Sequence, residues 1–326
     1  MKIIILGCGY LGLNIANYLV SVPNKEYEII VIGIKNEYAA KLFKGIKFIS
    51  LNIDDIDEKN LKEHFKDSYV IDLLGNITPV NDMSNLEEEF LNTYLSKLKL
   101  LRKLNDYPPK LYIYFSSGGT IYGDAIGIIS EEHKTEPINI YGLQKLFLEN
   151  LIRINFLENK KINYLNLRLS NPYGGYCSEN KKQGIIDVTL RKIYKKEKVE
   201  LWTELDTVRD YIYIFDLAKI IENLIFKKIK NKTINIGSGK GMSLREIFQK
   251  LEIITKQEIE IIYKKSLKSN MVKKNILNIS LLHELIDFNF FTDFDKAILE
   301  SIKINKYKVV GEIEKNGKSD NITIDI

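Results

Sequence analysis

The opening dodecapeptide, Met1-Lys2-Ile3-Ile4-Ile5-Leu6-Gly7-Cys8-Gly9-Tyr10-Leu11-Gly12, passes from an apolar run directly into Gly-x-Gly-x-x-Gly. Ile3 to Leu6 reads as a strand buried on both faces, the habit of a parallel sheet. Beyond Gly12 the apolar residues Leu13, Ala16, Leu19 and Val20 recur at helical spacing. A strand, a glycine turn and a helix in that order form a phosphate cradle. Gly7 permits the tight turn, Gly9 lets the backbone approach an anion, Gly12 lets helix and strand pack closely, and the helix N-terminus offers unpaired N–H groups. The expectation is a dinucleotide site.

The position that reads the adenosine ribose departs from the usual pattern. The second strand, Ile29 to Ile32, ends at Gly33, where an Asp or Glu would accept from both ribose hydroxyls. Gly33 removes that acceptor and its repulsion of a 2′-phosphate, and Lys35 could attract one. NADP therefore stands beside NAD, with Glu37 as an alternative ribose contact.

Further strand candidates, Lys47–Leu51, Tyr69–Leu74, Leu111–Ser116 and Tyr164–Leu169, alternate with helical stretches over 86–104 and 141–156. This alternation predicts an α/β fold with a doubly wound parallel sheet covered on both faces. Gly7, Gly33, Gly75, Ser116–Ser117 and Ser170–Asn171 all follow strand candidates, so they should gather along one crevice at the carboxyl ends of the strands. After about residue 172 the rhythm weakens. Asn171-Pro172-Tyr173-Gly174-Gly175 reads as loop, 185–198 as helix, 200–202 as a short strand and 216–226 as helix, and Ser243-Leu244-Arg245-Glu246 as a capping box. The expected division is 1–172 for the dinucleotide-binding domain, with some later segments returning to it, 173–304 for a smaller substrate lobe, and 305–326 for a tail. No internal repeat is visible.

At 326 residues the chain is long enough for such a unit with an attached lobe. A formal charge of +5, dispersed along the chain and without aromatic interleaving, argues against a nucleic-acid partner. Two cysteines, Cys8 and Cys177, support no disulfide framework and suit a reducing cytoplasm. His64, His133 and His283 are scattered, so no metal site is expected. The N-terminal apolar run is too short for a signal peptide, and no stretch is long enough to span a bilayer.

Tyr141 and Lys145 stand four apart on a predicted helix and so share one face. A free tyrosine keeps its proton until about pH 10, so it can act as a base near neutrality only if a cation stabilises the phenolate. Lys145 can be that cation, and an oxidised nicotinamide would be a second.

Taken together, these motifs resemble the extended short-chain dehydrogenase/reductases, in particular the NAD-dependent epimerase/dehydratase family and its UDP-glucose 4-epimerase-like members. The resemblance spans roughly residues 1–304. It rests on Gly7–Gly12, Asn92, Ser116–Gly123, Tyr141–Lys145, Asn171-Pro172-Tyr173-Gly174, Arg209–Ala218, Asn235–Gly239 and the closing stretch from Ile276 through Phe290 to Ile298. It implies a Rossmann-type fold, a likeness to nucleotide-sugar 4-epimerases working through a 4-keto intermediate with retained cofactor, and a role in supplying sugars for surface polysaccharide. Tyr141 would be the base, Lys145 its cation and ribose contact, and Ser117 or Thr120 the supporting hydroxyl. The cofactor would lie against Gly7, Gly9, Tyr10, Leu11, Gly12, Lys35, Asn52, Ile53, Leu74, Gly75, Asn92, Ser116, Tyr141 and Lys145. Asn171, Arg209 and Lys268 would hold the diphosphate of a nucleotide sugar, by default a UDP-hexose. Homodimerisation would use the helices over 86–104 and 141–157, through Leu91, Leu95, Leu98, Leu146 and Leu151.

Gly118 stands where many relatives place the catalytic Ser or Thr, and Gly118-Gly119 offers no proton donor for dehydration. An NADP-linked 4-keto-sugar reductase is the second enzymatic expectation. A non-catalytic dinucleotide-binding protein is the third, disfavoured because both Tyr141 and Lys145 are retained.

Overall fold

The computed structural model describes residues 1–75, 86–125, 127–159, 161–264, 274–288 and 291–307. In chain order the strands are β1 Lys2–Leu6, β2 Glu28–Gly33, β3 Ile46–Ser50, β4 Tyr69–Asp72, β5 Leu111–Ser117, β6 Ile128–Ile129, β7 Asn163–Leu169, β8 Asn171–Tyr173, β9 Val199–Leu201, β10 Val208–Tyr213, β11 Lys232–Ile236, β12 Gly241–Ser243, β13 Ile261–Tyr263 and β14 Lys274–Leu277.

Seven of them form one parallel sheet in the order β11-β7-β5-β4-β1-β2-β3. From β1 the chain builds outward through β2 and β3, then returns to the other side with β4, β5 and β7. The order therefore reverses between β1 and β4, where a doubly wound sheet opens a crevice at its carboxyl ends. This is a Rossmann-type fold.

The unbroken apolar runs follow from burial on both faces. Ile3 and Ile5 pack on one side with Ile15, Leu19 and Leu217; Ile4 and Leu6 face the other side with Leu100, Leu104, Ile152 and Phe156. The helices Tyr10–Ser21 and Ile214–Phe226 supply the first layer, and Leu86–Leu104 and Ile140–Asn159 the second.

The later part of the chain is more interwoven than its rhythm suggests. The helix Ile214–Phe226 and β11 return to the large sheet, while β12, β10, β14 and β6 form a second sheet with β8 also paired to β10. Asn171-Pro172-Tyr173, expected as loop, is thus a strand, parallel to Tyr211–Tyr213. A proline is tolerated where a strand is short and at an edge. The capping box is present, with Ser243 N–H donating to Glu246 at 2.7 Å and Glu246 N–H to Ser243 Oγ at 3.2 Å. Trp202, more often a core residue at such a position, is half exposed. Phe290, Lys268 and residues 308–326 lie outside the described residues. No helix among the described residues is long and apolar enough to cross a membrane.

Candidate active site

The glycine turn has the stereochemistry its sequence predicts. Gly7 takes φ +104° and donates its N–H to Ile32 O at 2.8 Å. A Cβ on Gly12 would fall 2.0 Å from Gly7 O, so no side chain fits there, whereas one on Gly9 would meet nothing within 4 Å. The helix Tyr10–Ser21 begins at Gly9 without a side-chain cap and without an acidic residue in its first turn. Its N-terminal dipole is left for an anion. Leu11 is half-buried against the core. The Tyr10 phenol is committed elsewhere: it donates to Gly174 O at 2.8 Å, with Lys181 Nζ 3.1 Å from its ring centroid.

At the adenosine end, Gly33 closes β2 so tightly that a Cβ would stand 3.1 Å from Cys8 N. Lys35 is exposed. Glu37 binds Ser178 Oγ and, at 3.5 Å, Asn180 Nδ2, so its carboxylate is engaged by that segment. Asn52 is exposed and caps a short turn by accepting from Asp54 N–H at 3.3 Å. Ile53 and Leu74 are half-buried on the face that carries Ile4 and Leu6. Asn92 is exposed on the helix Leu86–Leu104.

The helix Ile140–Asn159 and the end of β5 bring the remaining candidates together. Thr120 Oγ1 donates to Ser117 Oγ at 2.9 Å, and the Ser117 hydroxyl hydrogen-bonds the Tyr141 phenol. The two alternative hydroxyls of the sequence are therefore successive members of one chain that ends on Tyr141. Burial pushes the Tyr141 phenol above its ordinary value, and the Ser117 hydrogen bond pulls the other way. Lys145 Nζ donates to Phe115 O at 2.8 Å and lies 5.7 Å from the Tyr141 ring centroid. Desolvation brings its ammonium down to about 8, against the attraction of Asp72 and Glu149. Gly75 is adjacent, since a Cβ there would be 3.8 Å from Lys145 Nζ. At Gly118 a Cβ would stand 2.6 Å from Leu277 Cδ1 and 3.0 Å from Arg168 O, so this backbone excludes a hydroxyl residue at that position.

Asn171 and Arg209 lie on the paired strands β8 and β10. Asn171 Nδ2 donates to Asp210 O at 2.9 Å, and the half-buried Arg209 donates to Val208 O at 2.9 Å. Sequence reasoning missed Asp72 and Lys97, a buried pair behind Lys145. A carboxylate ending the apolar strand Tyr-Val-Ile-Asp was a signal; a lysine within a lysine-rich helix was not.

These residues suit a dinucleotide. The open backbone at Gly9, the uncapped helix start and the buried Ser116 Oγ, which has no partner within the protein, all await a polar ligand. Among the described residues no group of three or more His, Cys, Asp or Glu could hold a metal ion.

Comparison with known proteins decides the family, whose model matches residues 3–237. The chain belongs to the NAD dependent epimerase/dehydratase family. As a member it is an NAD-dependent enzyme of the nucleotide-sugar epimerase group. A candidate UDP-glucose 4-epimerase of Methanocaldococcus jannaschii is 30% identical over 272 residues, covering 79% of this chain and 84% of that protein. The dTDP-4-dehydro-6-deoxyglucose reductase of Escherichia coli is 27% identical over 254 residues, 76% of this chain and 79% of the relative. Among solved structures, the Thermotoga maritima UDP-glucose 4-epimerase with UDP-glucose superposes with a TM-score of 0.81 at 23% identity, over 93% of this chain and 98% of that one. The Bacillus cereus UDP-glucuronic acid 4-epimerase with UDP-glucuronic acid and NAD gives 0.82 at 20% identity, over 94% and 99%.

Proposed function

We propose that this family member is a UDP-hexose 4-epimerase that works through a transient 4-keto sugar, with Tyr141 as the base. The observation that carries the reading is the run Thr120–Ser117–Tyr141, with the Lys145 ammonium beside it and next to Gly75. Tyr141, as the phenolate that Lys145 stabilises, takes the proton of the sugar 4-hydroxyl and becomes the phenol, and Ser117 holds the reacting oxygen while Thr120 orients Ser117. When bound, NAD would supply the hydride acceptor for oxidation of the sugar carbon and, in its reduced form, the donor for the reverse step. Gly7, Gly9 and Gly12 with the following helix would hold its pyrophosphate, while Gly75, Ser116 and Lys145 would line its nicotinamide end. Tyr10, Leu11, Lys35, Asn52, Ile53, Leu74 and Asn92 border the remainder. Of these, Tyr10 contributes through its backbone, since its phenol is engaged by Gly174. Arg209 and Asn171 receive the sugar nucleotide's diphosphate, a guanidinium fork suiting that task; Lys268, the third residue the sequence suggests for it, lies outside the described residues.

Support comes from the Methanocaldococcus jannaschii relative and from the fold shared with epimerases holding UDP-sugars. The same reading places the enzyme in the cytoplasm, in sugar supply for surface polysaccharide. It also makes it a homodimer through the helices Leu86–Leu104 and Ile140–Asn159, where Leu91, Leu95, Leu143 and Ile154 are exposed. Leu146 and Leu151 are half-buried against their own subunit, and in this reading Leu143 and Ile154 extend the pairing face. Light scattering tests the dimer.

The competing reading is a 4-keto-sugar reductase, favoured by Gly33, Lys35 and the Escherichia coli relative. One assay separates them. The epimerase interconverts UDP-glucose and UDP-galactose, or their N-acetyl forms, without added cofactor or net change in nicotinamide absorbance. The reductase consumes NADPH in proportion to product.

A further inference from the structure

The steps above leave unused a buried ion pair behind Lys145. Asp72 ends β4 with no exposure, and Lys97, only 1% exposed on the helix Leu86–Leu104, donates to its Oδ2. Tyr112 Oη donates to the same oxygen at 2.6 Å, and Leu74 N–H to Oδ1 at 3.1 Å. Taking both charges out of water carries a desolvation penalty that their attraction must first offset, and an apolar pair of similar volume often serves stability as well. Packing alone is a weak reason for a lysine here.

The position of the pair suggests a better one. Asp72 is in register with Tyr114 on β5, and the Tyr114 ring centroid lies 5.9 Å from Lys97 Nζ and 5.1 Å from Lys145 Nζ. Two cations therefore share the surroundings of one carboxylate. The other carboxylate that acts on Lys145, Glu149 on its own helix, is gripped by Arg168 of β7 through both of its oxygens. Tyr114 and Tyr141 are the other ionisable groups packed around Lys145 among the described residues. Were residue 97 apolar, Asp72 would keep, among the described residues, a phenol and an amide as donors, and Lys145 would be the nearby cation left to neutralise it.

We infer that Lys97 is a positioning residue: by neutralising Asp72 it keeps the Lys145 ammonium on the Phe115 carbonyl and beside Tyr141, instead of drawn into an ion pair with Asp72. The inference rests on the reading of Tyr141 and Lys145 as the catalytic pair. Asp72 has a second effect, since its charge favours the protonated form of Lys145 against the desolvation that opposes it.

The test is steady-state epimerisation of UDP-glucose across pH by the NAD-loaded enzyme and by K97M, K97R and D72N/K97M. A second readout that needs no turnover is the ultraviolet titration of the Tyr141 phenol, taken as the difference between each protein and its Y141F counterpart. K97M should lower kcat at least about tenfold with KM nearly unchanged, and should shift the phenol titration; K97R should restore most of the loss. D72N/K97M removes both charges at similar volume, so it folds even where K97M does not. It should regain kcat over K97M, with the alkaline limb moved down by about one pH unit because Lys145 has lost the support of Asp72. A folded K97M with wild-type kcat and phenol titration overturns the inference, as does a double variant whose alkaline limb stays at the wild-type position. Y141F and K145M separate this from the catalytic reading. If they are inactive while K97M is unaffected, only the role of Lys97 fails; if they are active, the catalytic pair itself fails.

Discussion

One helix, Ile140–Asn159, borders two polar regions of opposite character. Around Glu149 every charged group is engaged. Arg168 grips both carboxylate oxygens and donates to Tyr122 at 2.9 Å, while Tyr122 donates onward to Asn235 at 2.7 Å. Two turns earlier, around Tyr141 and Lys145, the accounting is left open. Ser116 Oγ and Tyr114 Oη are buried without partners, and the Lys145 ammonium rests on a neutral carbonyl. A buried network whose charges are paired fixes the fold, since any loss leaves a stranded charge, even though Asn166 Oδ1 beside Glu149 is buried without a partner. Unpartnered polar atoms beside a tyrosine and a lysine leave donors and acceptors free for a ligand, which is where the proposed function puts cofactor and substrate.

The sharpest way to break this contrast is Y141F. Turnover should fall on the order of a thousandfold or more, the effect of losing a positioned general base. NAD retention and the urea midpoint should stay near wild type; a large stability loss would move Tyr141 into the structural class. On the other side, E149A strands the Arg168 guanidinium, and equilibrium unfolding should show a loss of about 3–5 kcal/mol. A loss under about 1 kcal/mol would mean that the charge-paired network is dispensable.

S117A interrupts the hydroxyl chain that ends on Tyr141, and kcat should drop about ten- to a hundredfold, as for a hydrogen bond to a charged group. T120A should cost less, because Thr120 reaches Tyr141 only through Ser117. The reverse order in single-turnover rates would make Thr120 the direct contact.

The pH dependence draws the two properties apart. Lys145 is held at about 8, below its ordinary 10.5. As pH rises through about 8 the ammonium is lost, phenolate support goes with it, and kcat/KM should decline. Stability has the opposite sign: between about 8 and the unfolded value the unfolded chain holds the extra proton, so the contribution of this group grows with pH and is lost as pH falls through about 8. Urea midpoints of wild type minus K145M across that window read the second slope. The smallest effect belongs to S116A, whose hydroxyl has no partner in the protein. Its stability should stay within about 1 kcal/mol of wild type, while NAD retention, followed by dialysis, weakens.

Much of this was legible in the chain itself because it depends on local stereochemistry. Gly7, Gly9 and Gly12 prescribe a turn and an open helix N-terminus, and the apolar runs prescribe a sheet buried on both faces. The four-residue spacing puts Tyr141 and Lys145 on one side of a helix. Other features were read wrongly or left open for a physical reason. Asn171–Tyr173 is a strand only because β10 lies beside it. Glu37, a candidate for the ribose, is engaged by Ser178 and Asn180, 141 and 143 residues away. Gly118, apparently a lost hydroxyl, is a glycine because Leu277 and Arg168 crowd it.

The sequence by itself determined the fold class, the glycine cradle and the tyrosine–lysine face, since each is written in spacings shorter than a helix or strand. Only the tertiary structure decided that Thr120 is hydrogen-bonded to Ser117 and that Lys97 faces Asp72. Those outcomes are set by which strands and helices come into contact across tens of residues. Burial then turns that proximity into chemistry, by removing the water that would otherwise screen each charge.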